Sequence, residues 1–370
     1  MKKNLVIIKS LTSLRFFAAL GVFFHHLGFL NSSTLVPIQN LVKYFFNGYA
    51  GVSFFYILSG FIISYSFKRH QGNGVFGYLD FMIFRISRLF PVHILSLLIF
   101  CLCFGIYSNF GAVNISSFFS NVFLIHALIP KQEYYFGFNA VSWSISCELF
   151  FYVAFCFLVR LKSKYLLALL SAILAVVIFS LFNPPVELSQ HWLFYINPIF
   201  RLPNFIIGML LCRIYLSTSF SPSTAIGNAM ELGSIALLGI TVYISSNFIS
   251  DMNLRFDILF IPAMASIVMA FSYSSGLLSK LLSNSFMMLL GEASFSFYMM
   301  HWIIISKANE MIMPNPNDYV SIISFISVAL TLSVALSILL YKAFEMPLNK
   351  LIRNSWIKIR YPEIKTLAQN

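Results

Sequence analysis

The chain has 370 residues, of which 59% are hydrophobic and 10% charged, and its formal net charge is +12; mean hydropathy is +0.84. Apolar runs near the roughly 20 residues that cross a hydrocarbon core recur along the whole length, which excludes a water-soluble globular domain. The runs are unbroken instead of alternating, which excludes a β-barrel and leaves an all-α polytopic membrane protein.

Ten spans are predicted, at about 13–31, 48–67, 88–108, 142–160, 164–182, 194–214, 229–249, 256–274, 284–305 and 319–343. The stretch Ile115 to Ile129 is short and interrupted by Asn121 and His126, and reads as interfacial or re-entrant, with an eleventh span as the alternative. Cytoplasmic loops collect Lys and Arg. With ten spans and the N-terminus inside, eighteen basic residues fall on the cytoplasmic side and four outside. Both termini are therefore expected in the cytoplasm. The expected organisation is a cytoplasmic segment (1–12), a transmembrane domain (13–345) and a cytoplasmic basic tail (346–370). The positive charge is then a topology signal with some attraction to anionic lipid, and no basic stripe with interleaved aromatics points to nucleic acid. The first span lacks a small-residue cleavage pattern and reads as a retained helix. The five cysteines all fall inside predicted helices, with spacing that suggests neither a metal site nor a disulfide framework.

The informative residues are polar groups inside these spans, where an ionisable side chain costs at least about 2.5 to 3.5 kcal/mol near the centre and usually faces a cavity. They are Arg15, His25, His26, Glu148, Arg201, Glu292 and His301. In "LRFFAALGVFFHHLGFL", Arg15 and His26 are eleven apart and so share one helical face, about 16 Å apart along the axis, while His25 points roughly 80° away. Arg85 and Arg88 in "FRISRLFPVH" are three apart at the cytoplasmic mouth of the third span. Such a fork suits a phosphate or carboxylate, and positive-inside anchoring is its alternative. In "NAVSWSISCELFFY", Ser144, Glu148 and Tyr152 form a polar line at spacing four. Ser294, Tyr298 and His301 form another in "LGEASFSFYMMHW".

In this order, "LTSLRFFAAL" with His26, "GVSFFYILSGFIIS", Arg85 and Arg88 leading into "RLFP", "SWSISCELFFY", "FRLPNFIIGMLL", "LGEASFSFYMMH" and "FEMPLNKLI" resemble acyltransferase family 3 across about residues 9–353. The resemblance implies a ten-helix acyltransferase core in a bacterial inner membrane. It also implies acyl-CoA, commonly acetyl-CoA, as co-substrate from the cytoplasm, and a hydroxyl of a cell-surface or exported glycan as acceptor. It assigns His26 as the essential histidine, Arg85 and Arg88 as the arginine pair and Glu148 as the glutamate of the fourth span. Many members carry an acidic residue where this chain has Thr12 and Ser13, and two adjacent glutamates where it has Glu148 and Leu149. Some add a C-terminal hydrolase-like domain, whereas this chain stops at Asn370, which suggests a stand-alone enzyme.

The mechanism expected from residues and resemblance together has Arg85 and Arg88, with Arg15, holding the donor phosphates. His26 acts as general base on the acceptor hydroxyl, and Glu148 either orients His26 or binds the acceptor. Ser144, Tyr298, His301 and Arg201 are candidate acceptor or oxyanion contacts, with the backbone at Ser59 and Gly60 a further candidate. An acyl-histidine or acyl-Cys147 intermediate is the lesser variant. No resident cofactor or metal is expected. The alternative class is a polytopic transporter or flippase for a glycan or lipid-linked precursor, which would favour inverted repeats with broken helices.

Overall fold

The computed structural model describes residues 7–71, 77–105 and 115–362. The first six residues, the end of the third expected span and the last eight residues of the basic tail lie outside the described residues. The long helices are α1 (Lys9–His25), α2 (Ala50–Gln71), α3 (Tyr78–Phe104), α4 (Trp143–Leu158), α5 (Ser163–Phe182) and α6 (Pro198–Ser217). They continue with α7 (Thr224–Phe248), α8 (Ile261–Ser272), α9 (Ser285–Ile312), α10 (Tyr319–Leu340) and α11 (Met346–Arg360). Among the described residues nine helical segments are long and apolar enough to cross a membrane, and no strand is present. The protein is an all-α multi-pass membrane protein.

Side-chain caps set several helix starts, which satisfies amides that no preceding turn can reach. Asn197 accepts from the Ile199 amide ahead of α6, Ser223 from Ile226 ahead of α7, and Asn284 from Met287 ahead of α9. Asp318 accepts from the Val320 and Ser321 amides ahead of α10.

The expected span 256–274 is shorter than the sequence suggests. Its continuous helical part is Ile258–Ser272, about 22 Å long at 1.5 Å per residue. The break lies at Asp257, whose backbone leaves the helical region (φ −150°, ψ −63°). Its carboxylate accepts from Ser53 Oγ at 2.7 Å and Asn204 Nδ2 at 2.8 Å, and pairs with Arg201 at 2.7 Å. Bonds from α2 and α6 thus hold the residue where a straight helix would pass. The stretch Ile115 to Ile129 is likewise no spanning helix. It is a short helix (Ile115–Val122), a left-handed Leu124 (φ 56°) and a tight turn at His126–Leu128. Ser146 Oγ donates to Leu124 O (2.7 Å), and a ring nitrogen of His93 bonds Asn121 O (2.8 Å), which ties the segment to α4 and α3.

At the centre, α2 and α6 cross with backbones in contact. A side chain at Gly60 would overlap the Phe205 carbonyl, and one at Gly208 would overlap the Ile57 carbonyl. Small residues permit this approach, which supplies the dispersion contacts that lipid cannot drive hydrophobically. Gly60→Val or Gly208→Val is therefore expected to destabilise the protein by about 1 to 3 kcal/mol through overpacking. Gly239→Val on α7, where nothing lies within 4 Å, should be neutral. Thermal unfolding in detergent compares the three.

Candidate active site

A cavity of about 490 Å³ lies between α1, α2, α3, α4 and α9, and the turn into α11 closes its side. Along α2 its lining runs from Val52 to Ser66, about 21 Å at the helical rise. Its mouth is at the end of the bundle where α1 and α3 begin and α11 lies. Its inner end is formed by Val52, Ser144 and Tyr298.

Arg15, Arg85, Arg88 and Arg353 all line this cavity, as do Glu148, Glu292 and Glu345. The two sets do not pair. Among the described residues the ion pairs are Arg201–Asp257 and Lys307–Glu310, so no carboxylate reaches any of the four cavity arginines at ion-pairing distance. Each carboxylate takes a neutral donor instead. Ser59 Oγ donates to Glu148 (3.2 Å), Tyr341 Oη to Glu292 (3.0 Å) and Ser296 Oγ to Glu345 (2.6 Å). Arg85 donates to Ser66 Oγ at 3.4 Å, while its buried Nε has no partner. The Arg85 guanidinium also faces the Phe81 and Tyr152 rings, at 5.5 and 5.9 Å. A buried donor with no partner is costly, and an anion in the cavity would satisfy it.

Helical geometry puts Arg15 and His26 on one face, but only Arg15 is among the residues that line the cavity; His26 and His301 are not. Arg15 lines the cavity, and His26 caps the far end of α1. The His26 ring meets His301, not Glu148. His26 Nδ1 lies 2.9 Å from Val22 O and 3.1 Å from His301 Nε2. His301 Nδ1 in turn lies 2.7 Å from Tyr298 O. Carbonyl oxygens only accept, so in neutral rings both Nδ1 atoms carry the proton. This network assigns the tautomers. His26 Nδ1–H is then shared between Val22 O and His301 Nε2, and His26 Nε2 keeps its lone pair. That nitrogen has no hydrogen-bond partner among the described residues. His25 turns the other way and packs edge-on against Phe46 and Tyr49, at 5.3 and 5.5 Å.

Tyr298 joins the two regions. Its hydroxyl lies 2.8 Å from Ser144 Oγ at the inner end of the cavity, and its ring is 5.6 Å from that of His301. Ser144, Glu148 and Tyr152 all line the cavity, as their spacing of four predicts, and Ser294 lines it beside Tyr298. Arg201 does not reach it. That side chain is fully buried, paired with Asp257 and stacked over Tyr56 at 5.2 Å, so its charge is already neutralised by a carboxylate 56 residues away. Cys147 points at Ile196 O (3.1 Å), and the Gly60 backbone is taken up by α6. Sequence reasoning did not single out Glu345, Tyr341, Asn349 or Arg353 as cavity residues. The signal available was the i, i+4 spacing of Asn349 and Arg353 on an amphipathic helix. A second, apolar cavity of about 660 Å³ between α1, α2, α7 and α8 carries no charged side chain.

The model of acyltransferase family 3, described as an acyltransferase domain, matches residues 8–342. The chain belongs to this family. Among its relatives, the acyltransferase MdmB of Streptomyces mycarofaciens is 26% identical over 334 residues, 84% of this chain and 82% of the relative. A Staphylococcus aureus (strain COL) protein that carries the provisional name O-acetyltransferase is 23% identical, over 94% of this chain and 58% of its own length. A Bacillus subtilis protein with the provisional name peptidoglycan O-acetyltransferase is 28% identical, over 80% of this chain and 48% of its own length. The chain thus spans about half the length of these last two. No solved structure matches it. Family membership makes the protein an integral-membrane acyltransferase, an assignment that the transporter alternative does not account for.

Removing one partner of a buried ion pair strands the other, at a cost of about 3 to 5 kcal/mol. Asp257→Ala and Arg201→Ala are expected to lower thermal stability and folded yield together. The two variants should match each other in the size of the loss, since each strands one half of the same pair, read by thermal unfolding of the purified protein in detergent.

Proposed function

We propose that the protein is an O-acyltransferase that moves an acyl group, in the first instance acetyl, from acyl-CoA in the cytoplasm to a hydroxyl of a cell-surface or exported glycan. The observation that carries this reading is the convergence of Arg15, Arg85 and Arg88 on one cavity, with no carboxylate partner among the described residues. Guanidinium forks bind phosphates with directional, charge-assisted bonds, and coenzyme A brings phosphates attached to a thin arm that fits a long cavity. The bias of basic residues supports a cytoplasmic mouth and a bacterial inner-membrane location. The relatives named as O-acetyltransferases, one of them for peptidoglycan, support acetyl as the group and a glycan hydroxyl as the acceptor.

In this mechanism Arg15, Arg85 and Arg88 hold the phosphates, and the pantetheine arm lies along α2. The thioester then reaches the inner end between Ser144, Glu148 and Tyr298. His26 Nε2 takes the proton of the acceptor hydroxyl as general base, and His301 fixes the ring. Attack forms the new C–O bond and a tetrahedral oxyanion, to which the Ser144 and Tyr298 hydroxyls at that end of the cavity donate. Collapse breaks the C–S bond, and the departing thiolate takes the proton from His26. Glu148 binds acceptor hydroxyls; its hydrogen bond from Ser59 and the contact of His26 with His301 leave that role in place of orienting His26.

The test is transfer of label from radiolabelled acetyl-CoA to whole-cell glycan extract by purified protein in nanodiscs. Wild type should label glycan. His26→Ala should lose about two orders of magnitude or more in turnover, the scale of general-base catalysis, at unchanged folded yield, while His25→Ala should be partial. Full activity of His26→Ala removes the general-base assignment. Arg85→Ala and Arg88→Ala should each raise the apparent KM for acetyl-CoA roughly tenfold, the scale of one charge-assisted bond, with little change in kcat. An unchanged KM would return both to topology anchors.

A further inference from the structure

The helix α11 is built into the cavity mouth, not appended to it. Ser87 Oγ on α3 donates to Asn349 Oδ1 at 2.9 Å. Further along, Trp356 Nε1 and Tyr361 Oη donate to the two oxygens of Asp80, each at 2.7 Å. Asp80 is itself buried and also accepts from the Gly77 amide at the start of α3. The helix is thus pinned to α3 on both sides of Arg353, which is four residues after Asn349 and three before Trp356 and so shares their face. The Arg353 guanidinium lies 4.1 Å from the Phe84 ring centre, a cation–π contact that fixes its position. Phe84, Arg85, Arg88 and Arg353 all line the cavity, and no carboxylate pairs with Arg353 among the described residues.

The order along α3 gives these groups an order in depth. Phe84, with Arg353 over it, is the outermost, and Arg88 lies about 6 Å further in along the axis. A donor that enters with its thioester leading presents its anionic groups in a fixed sequence, the pyrophosphate first and the ribose 3′-phosphate on the adenosine last. We propose that Arg353, carried by α11, is the contact for the ribose 3′-phosphate of acyl-CoA and makes the enzyme distinguish CoA thioesters from their 3′-dephospho forms. This rests on the donor reading above and adds to it the outermost recognition element, on a helix that the transmembrane core does not need for spanning.

The experiment is equilibrium binding of CoA and of 3′-dephospho-CoA to the full chain in nanodiscs, for wild type, Arg353→Ala and Arg353→Lys, with thermal unfolding of each. Wild type should prefer CoA roughly tenfold or more, the worth of one charge-assisted contact. Arg353→Ala should bind both ligands as wild type binds 3′-dephospho-CoA, so that the preference disappears. Arg353→Lys, which keeps a point charge without the fork, should retain part of it and guards against a folding defect. In transfer, Arg353→Ala should raise KM for acetyl-CoA and leave kcat unchanged. The proposal is overturned if Arg353→Ala keeps the wild-type preference, if it weakens both ligands equally, or if folded wild type binds the two ligands alike. Wild type that binds neither ligand overturns the donor reading itself along with this inference.

Discussion

Four guanidinium groups face one cavity inside a membrane bundle, and among the described residues no carboxylate pairs with any of them. Charge held in a half-buried cavity without a partner is costly, so such an arrangement persists where a ligand completes it. The three glutamates on the same walls each accept from a hydroxyl, which keeps them off the arginines and leaves the guanidiniums open to an anion. The contrast within the molecule is Arg201, which is fully buried where the four cavity arginines are half-buried, and whose counter-charge is supplied by Asp257. One arginine holds helices together; the other four define a site.

The scaffold around the cavity makes that separation possible. The glycine-mediated contact of α2 with α6 brings α2 close enough for Ser53 to join the Arg201–Asp257 pair, and this same helix presents Ser59 to Glu148 on its other side. The break at Asp257 shortens α8 but anchors it to the two central helices. On the far side of the bundle, Asp80 fastens α11 against α3, so the mouth has a fixed wall. Beyond the inner end of the cavity, the carbonyls of Val22 and Tyr298 set the tautomers of two histidines and leave one lone pair, at His26 Nε2, available to take a proton.

The spans were legible because apolar runs of the right length are a direct consequence of the lipid solvent, while helical periodicity set Arg15 and His26 on one face without telling that only Arg15 lines the cavity. The polar line of Ser144, Glu148 and Tyr152 was legible for the same reason. What the sequence did not contain was the rotation of one helix against another. Glu148 could be set at the depth of His26 but not aimed, and in the structure Ser59 occupies it while His301 meets the histidine. Arg201 looked like a ligand contact because its partner lies 56 residues away across a helix break. Arg353 looked like an ordinary basic residue of a cytoplasmic tail, since nothing local to it reports the hold of Asp80 on Trp356 and Tyr361.

The measurement that bears most directly on this account is photocrosslinking with a CoA thioester whose acyl chain carries a photoreactive group, followed by mapping of the labelled peptides. Label is expected on α4 around Ser144 to Glu148 and on α9 around Ser294 to Tyr298, removed by excess CoA. Label confined to the apolar cavity between α1, α7 and α8, or label that CoA does not displace, would contradict the assignment of the arginine-lined cavity as the donor chamber.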